Sequence, residues 1–577
     1  MFQKFTTLNY LLLGALLLGT VSTNAQSFSW VKTAGGNDRY TTAEAIAIDH
    51  HHNEIVTGFL NDTAHFGSIL TPFSGDIDGF VAKYDSLGNV LWVRTIWGTG
   101  RDKAYQSAID TADNIYVVGE YGSGYVHFSA TDSMAINAAG GNHNFFIAKY
   151  DKDGNFLWAR NGGNPLSGTK AVSSNAVTVD PWGNAVIGGY YQDTMVVSGM
   201  HLGGGAQNLF LAKYSPSGTC TWAKAIRSNS HCVISAIACD DTGNIYPTGK
   251  MGGKLYVGTT EIASNSMGDA IFFGKFNPSG NFVWMDSLTN NESASTNAKM
   301  FHSGNGILVD HSGNVYLAGS LLDTAIIITT PSPGLDIKQH GFIAKYNNAG
   351  VLQWMQRFGD NKRCVVNGIA FDAAGGLYAA GNYKTPTTFG GISLLTPSVG
   401  YGTVFVGKFD PATGNALWIK TGGGYTSAFA EDRTAGIAID QTTGSIAIAG
   451  NFYNKVTFDG ITVSSPSTIF DFQDIFVTRQ INPVTVTPPP SVGIPYTTDY
   501  AGYAIYPNPA SSVLNINLNN ASYHKVVIID ISGRILMQTE TNRNTLQLDI
   551  QSLSAGTYTI AFIDARNNAF YSKIVKM

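Results

Sequence analysis

The sequence predicts an all-β chain, a seven-bladed β-propeller followed by a small C-terminal β-sandwich. Three observations lead there. A stretch reading Asp78-Gly-Phe-Val-Ala-Lys-Tyr-Asp85, then Gly88-Asn89-Val-Leu-Trp92, returns in recognisable form seven times along the 577 residues. Its copies end in Trp92, Trp158, Trp222, Trp284, Trp354 and Trp418, spaced 66, 64, 62, 70 and 64 residues apart. Units of that size are supersecondary elements that bury their faces only by stacking on neighbours. Charged residues make up 13% of the chain, about half the usual share, while 65 glycines and 27 tyrosines suit short strands joined by tight turns.

In chain order, residues 1–25 carry a secretory signal pattern. Lys4 supplies the positive start, Leu11 to Leu18 the apolar run, and Thr23-Asn24-Ala25 a small-residue cleavage site before Gln26. No later run reaches the roughly 18 apolar residues of a membrane helix, so none is expected, and no Cys follows the signal to take a lipid.

The ring is expected over 26–481. In each copy a strand such as Phe80-Val-Ala-Lys-Tyr84 turns through Asp85-Ser-Leu-Gly88-Asn89 and leaves as Val90-Leu-Trp92, with Gly at the left-handed position of the loop. Setting Asp85 opposite Asn89 and counting back places Ala82 opposite Trp92. The equivalents Ala148, Ala212, Gly274, Ala344, Gly407 and Thr478 are likewise small, as befits residues facing an indole. A second hairpin runs Ala45-Ile-Ala-Ile-Asp49, a turn, then Glu54-Ile-Val-Thr-Gly58, and recurs as Ile307-Leu-Val-Asp310 with Gly313-Asn314-Val-Tyr-Leu-Ala-Gly319. Two hairpins make a four-stranded blade, its small-residue strand at the crowded axis and its Trp strand at the wide rim. The chain opens on an unpaired Trp strand, Phe28-Ser-Trp30-Val, and the ring ends on an unpaired Asp474-Ile-Phe-Val-Thr-Arg479. Pairing the two completes the seventh blade and removes the open edge, so a monomer is expected. The repeat resembles the bacterial SBBP-type β-propeller unit over about four fifths of the chain. That resemblance implies the fold and says little about activity.

A stiff linker, 482–502, contains Pro483, Pro488-Pro-Pro490 and Pro495. The second domain, 503–577, opens on Tyr506-Pro507-Asn508-Pro509, continues through alternating Val513-Leu-Asn-Ile-Asn-Leu518 and the Asp530-Ile-Ser-Gly533-Arg hairpin, and closes with Leu553-Ser-Ala-Gly556-Thr-Tyr and Lys573-Ile-Val-Lys576-Met. Strands punctuated by Gly and Asn turns fit a small sandwich. In order and spacing this segment resembles the C-terminal sorting domain of type IX secretion cargo. The resemblance implies recognition by an outer-membrane translocon of a Bacteroidota-like Gram-negative bacterium, then release or surface attachment. It makes Tyr506, Pro507, Asn508, Pro509, Asp530, Gly533, Gly556, Lys573 and Lys576 the sorting signal.

A net charge of −5 with no basic block argues against a nucleic-acid partner. Cys220, Cys232, Cys239 and Cys364 are too few for a disulfide framework; one bridge among them or buried free thiols both fit. Lys83, Lys149, Lys213, Lys275, Lys345, Lys408 and Arg479 share one repeat position. They read as stems over apolar surface with heads on a carboxylate or aromatic face, not as a polyanion girdle. Asp49, Asp110, Asp180, Asp240, Asp310, Asp372 and Asp440 form a second ring, read as turn caps because they lack the alternating oxygens of a calcium loop. His50-His51-His52 reads as an exposed turn, since three adjacent side chains cannot all converge on one ion. No metal, cofactor or catalytic residue is assigned, and the nucleophile elbow, His-Glu-x-x-His and phosphate-cradling patterns do not occur.

The loops entering the inner strands vary most and converge on one channel mouth. They nominate Asp38, Arg39, Tyr40, Arg101, Asp102, Lys362, Arg363, Glu431, Asp432 and Arg433 for a glycan or protein ligand, with Tyr105 and Tyr425 nearby. The expectation is a secreted or surface binding module. Its rival is an extracellular polysaccharide hydrolase or lyase, which a pair of carboxylates at the mouth would favour.

Overall fold

A computed structural model describes residues 27–481 and 504–576, apart from 37–38, 123, 136–142, 166–169, 263–268, 289–301, 323–338, 360–362, 385–386, 390–391, 395–402, 425–431, 467–471, 507–509, 519–522, 530–534, 542, 555 and 565–568. The signal segment and the proline-rich linker lie outside the described residues. The chain divides into two compact units, 1–485 and 486–577.

In the first unit the opening strand is β1 (Ser27–Gly35), and the first complete blade is β2 (Thr41–Ile48), β3 (Glu54–Leu60), β4 (Asp78–Tyr84) and β5 (Val90–Gly98), hydrogen-bonded antiparallel in that order from axis to rim. Six more such four-stranded sheets follow among the described residues. Their inner strands neighbour one another in sequence, and Arg433–Ile439 of the last returns to β2. The last sheet is closed by both ends of the ring: β6 (Gln473–Ile481) pairs with β1 from Ser27↔Ile481 to Ala34↔Ile475. Several exposed outer strands are covered by a small hairpin of the following blade. Tyr125–His127, for example, adds to β5, and His65–Phe66 adds to β1, which blunts the edges.

One expectation is corrected. Lys83, not Ala82, stands opposite Trp92, because Leu91 is an inserted bulge residue. The insertion recurs in all seven copies and sets Lys149, Lys213, Lys275, Lys345, Lys408 and Arg479 opposite Trp158, Trp222, Trp284, Trp354, Trp418 and Trp30. A bulge adds local twist and re-aims the residue after it. In six of the seven copies it sends the indole forward onto the turn of the next blade. A Cβ on Gly154 would lie 2.8 Å from the Trp92 ring, and one on Gly218 2.8 Å from Trp158. These glycines also carry left-handed φ of 77° and 84°, so both turn and ring require them. Trp30, Trp158, Trp222, Trp284 and Trp354 donate their Nε1–H to the same turns, at 3.0–3.3 Å from the carbonyls of Ser86, Pro216, Pro278, Asn348 and Pro411.

The Lys ring and the Asp ring, read separately in the sequence, meet. Lys83 Nζ lies 2.7 Å from Asp49, Lys149 3.1 Å from Asp110, Lys213 2.7 Å from Asp180 and Lys408 3.1 Å from Asp372. Lys275 and Lys345 lie over Tyr246 and Tyr316, whose hydroxyls donate to Asp240 and Asp310. Each Asp also caps its turn, as when Asp180 accepts from the N–H of Trp182 and Asn184. Arg479 spans the closing blade, 2.6 Å from Glu54 and 2.5 Å from Asp440. All four cysteines are free thiols, and burial pushes Cys220 up to about 11 and Cys232 and Cys239 up to about 12.

The second unit is two antiparallel sheets. One holds Ala504–Tyr506, Val513–Asn517 and Thr545–Asp549; the other holds Tyr523–Ile529, Ile535–Glu540, Gly556–Asp564 and Ala569–Lys576. Leu514, Ile516, Val526, Ile528, Ile560, Phe562 and Ile574 form its core. Pro507, Asn508, Pro509, Asp530 and Gly533 fall outside the described residues. Tyr506 is exposed on the first strand, while Gly556 and Lys576 pair between the last two, three places from the pairing of Lys573 with Thr559.

Candidate channel-mouth site

Every inner strand carries a bulge at one equivalent position. The extra residues are Glu44, Tyr105, Asn175, Ser235, Asn305, Asn367 and Ala435, and all seven line an axial cavity of about 420 Å³. A strand that alternates strictly would turn such residues into the blade; the inserted residue breaks the alternation and aims them at the axis. Beyond them, Ile46, Ile237, Ile307, Ile369 and Ile437 line the same cavity with apolar surface. Toward the mouth, a cavity of about 550 Å³ shares Glu44, Ser235, Asn305, Asn367 and Ala435 and adds Arg363, Arg433, Asn382, Asn451 and Tyr453.

Glu44 is the one acid among the described residues lining either cavity. Burial holds its carboxyl above the ordinary range, against the pull of Arg433 and Lys103. Lys103 Nζ stands 4.9 Å from the Phe59 ring and 5.9 Å from Tyr105, and Tyr40 meets Phe59 edge-on at 6.3 Å. Burial, with Glu120 and Glu44 nearby, raises the Tyr105 phenol well above its usual range. Asn367 Nδ2 donates to Asn382 Oδ1 at 2.9 Å and to the Thr434 carbonyl at 2.8 Å, and Asn451 clasps both backbone groups of Ala43 across the seam.

The nominated residues divide. Arg363 and Arg433 are exposed and line the mouth cavity, Tyr40 is half-buried beside it, and Arg39 is exposed on its loop. Arg101 is exposed with Asp76 at 3.7 Å. Asp38, Lys362 and Glu431 lie outside the described residues, as does Tyr425. Asp102 and Asp432 are fully buried and brace backbone, Asp102 accepting from Gly122 N at 3.2 Å and Asp432 from Gly424 N at 2.8 Å. Glu44, Asn305 and Asn367 were missed. No sequence signal marks them, since the position two residues earlier, Thr42, Lys103, Ser173, Val233, Ser303, Val365 and Arg433, varies as widely in size and charge.

The buried acids at the mouth end carry a pH prediction. Burial pushes Asp78 up to about 7, with the charge of Asp102 adding to it, and burial likewise pushes Asp432 up to about 7. Acids raised in the fold are protonated there while ionised in the unfolded chain, so stability falls as pH rises from about 4 to about 7. Asp110, Asp180, Asp372 and Asp440 are held below the ordinary range by hydrogen bonds that outweigh burial, so their contribution is lost as pH falls below about 4. Melting temperature is therefore expected to peak in mildly acidic buffer. Asp78→Asn should recover roughly 2–4 kcal/mol at pH 8 and little at pH 5. An unchanged pH profile in denaturant titrations of this variant would remove Asp78 as the cause.

Against known proteins, residues 504–577 match the family described as secretion system C-terminal sorting domain. The tail is a sorting domain. Domains of this kind mark proteins exported by the type IX secretion system to the cell surface or the extracellular space. An uncharacterized WD repeat-containing protein of Acanthamoeba polyphaga mimivirus is 24% identical over 73% of this chain and 36% of its own length. An endo-acting ulvan lyase of Formosa agariphila is 32% identical over 12% of this chain and 14% of its own. The chain thus spans little more than a third of the first relative and about a seventh of the second. Among solved structures, Kuenenia stuttgartiensis hydrazine synthase aligns with a TM-score of 0.38 and 11% identity, covering 74% of this chain and 97% of that one. Regucalcin of Agrobacterium tumefaciens, described as a calcium-binding protein, aligns with a TM-score of 0.18 and 10% identity, covering 50% of this chain and 85% of its own. The fold is all-β and propeller-like. Among the described residues, no helix is long and apolar enough to cross a membrane.

Proposed function

We propose that the ring is a binding module, displayed on or released from the cell, that holds an acidic saccharide at the channel mouth. Its delivery uses the signal segment at 1–25 and engagement of the sorting tail by the type IX translocon, and its repeats are of the SBBP type. The observation that carries the reading is the ring of seven bulges, which aims Glu44 and the amides of Asn305 and Asn367 into one cavity beside Arg363 and Arg433. Asn367 gives its amide hydrogens to Asn382 and Thr434, which leaves its oxygen to accept from a hydroxyl, and guanidinium forks hold an anionic group in two-point fashion. A rival hydrolase of the usual two-carboxylate kind would need a second carboxyl beside Glu44. Asp102 and Asp432 do not supply one, since both are buried in bracing roles.

The test is an array of acidic and neutral oligosaccharides probed with the chain from Gln26 onward. Retention of acidic members is expected, with Arg433→Ala and Asn367→Ala each weakening it about tenfold or more. Binding indifferent to both changes would place the ligand elsewhere. Shortened products in the wash would establish the hydrolase or lyase instead.

A further inference from the structure

We propose that His50, His51 and Asp113 form a binding site for a first-row transition-metal dication between the turns of the first and second blades. The two imidazoles converge on one carboxylate: His50 Nδ1 lies 2.6 Å from Asp113 Oδ1 and His51 Nδ1 2.6 Å from Asp113 Oδ2. The carboxylate is 5% exposed, whereas the rings are 61% and 67% exposed, so its desolvated oxygens face two donors that solvent can reach. Asp49, His51 and Asp113 present ligand atoms within 4.8 Å of one another. Asp49 is not counted as a ligand, because it holds Lys83 at 2.7 Å and caps its own turn.

Three adjacent histidines cannot all reach one ion, and here they do not. His52 turns the other way, to Asp440 at 2.9 Å, leaving two imidazoles for the site. The third donor comes from another blade, 63 positions from His50. Asp113 stands at a turn position with φ of 60°, where later blades place Gly183, Gly243, Gly313, Gly375 and Gly444 with φ of 67° to 80°. A carboxylate therefore replaces the residue that the conformation favours at the one turn facing two histidines.

Two imidazoles and one carboxylate suit zinc or its neighbours, and three protein ligands leave a fourth tetrahedral position for water. Ligands at about 2.0–2.2 Å from zinc stand roughly 3.3 Å apart in a tetrahedron, so each exposed ring must draw back from the carboxylate by about 0.7 Å and the two rings must also turn toward each other to close on one ion. The site lies at the end of β2 away from the channel mouth, where an ion would join the first two blades and take no part in ligand binding there.

The test is zinc titration of untagged protein beginning at Gln26, by competition with a chromophoric chelator, with thermal unfolding as a second readout. One zinc per chain is expected, with a raised melting temperature. His51→Ala and Asp113→Asn should weaken binding by more than about tenfold. Asp113→Gly, which installs the residue of the later blades, should fold at least as well as the parent yet lose the zinc response. No binding by the parent would overturn the site, as would parental affinity in folded Asp113→Gly protein, or a calcium response matching that of zinc.

Discussion

A protein lacking Ser27–Gly35 is expected to lose the ring as a whole and not merely its last blade. The deletion removes Phe28, Trp30, Val31 and Ala34, all buried, and strips β6 of its partner from Ile475 to Ile481. Buried apolar side chains contribute about 1.5–3 kcal/mol each, so the loss is of the order of 5–10 kcal/mol before any ladder hydrogen bonds. That is comparable with the roughly 5–15 kcal/mol total stability of a domain. Calorimetry should show the cooperative transition abolished or shifted far downward. A melting temperature equal to that of the parent would show that the seam contributes nothing.

Lys213→Gln is expected to cost about 3–5 kcal/mol, the range for stranding one member of a buried ion pair. Counting strand pairs from the loop places Ala212, not Lys213, against Trp222. The bulge at Thr221 reverses the roles. Lys213 faces Trp222, is 7% exposed, and reaches Asp180 at 2.7 Å and the Pro278 carbonyl at 3.3 Å. Burial works to raise the Asp180 carboxyl, and hydrogen bonds from Lys213 and Asn184 bring it below the ordinary range instead. Without the lysine, the carboxylate stays buried with its main counter-charge gone. Ala212→Leu remains an overpacking change, since Ala212 is buried against Ile187 on one side and Ala223 on the other, at about 1–3 kcal/mol. Urea titrations of the two variants rank them, and a lysine variant as stable as the parent would refute the pairing.

Turn residues and the repeat spacing reveal the strands and the closing pair, because Asp, Gly and Trp each answer a local steric demand that few other residues meet. The bulges leave no such trace. A residue inserted in one strand changes neither composition nor turn chemistry, yet it reverses which side chains share a face. Two insertions per blade therefore hid both the partner of each Trp and the channel-facing Glu44. The same limit hid Asp113, whose connection to His50 depends on how two blades abut and not on anything adjacent in the chain.

The seam also has a mechanical side. β1 and β6 are antiparallel, and Ser27 lies opposite Ile481, so the two ends of the ring leave from the same end of one ladder. Pulling these ends apart would load the hydrogen bonds one after another, the weakest way to stress a pair of strands, whereas force through one end alone puts no tension across the pair. The seam is weak for a further reason. Among the described residues Trp418 has no turn ahead of it to rest on, because the closing blade pairs the ring's two end strands where the others have a loop. A ring held by its C-terminal end with a free N-terminus is thus spared shear in flowing medium at its least reinforced joint, while one tethered at both ends would open there first.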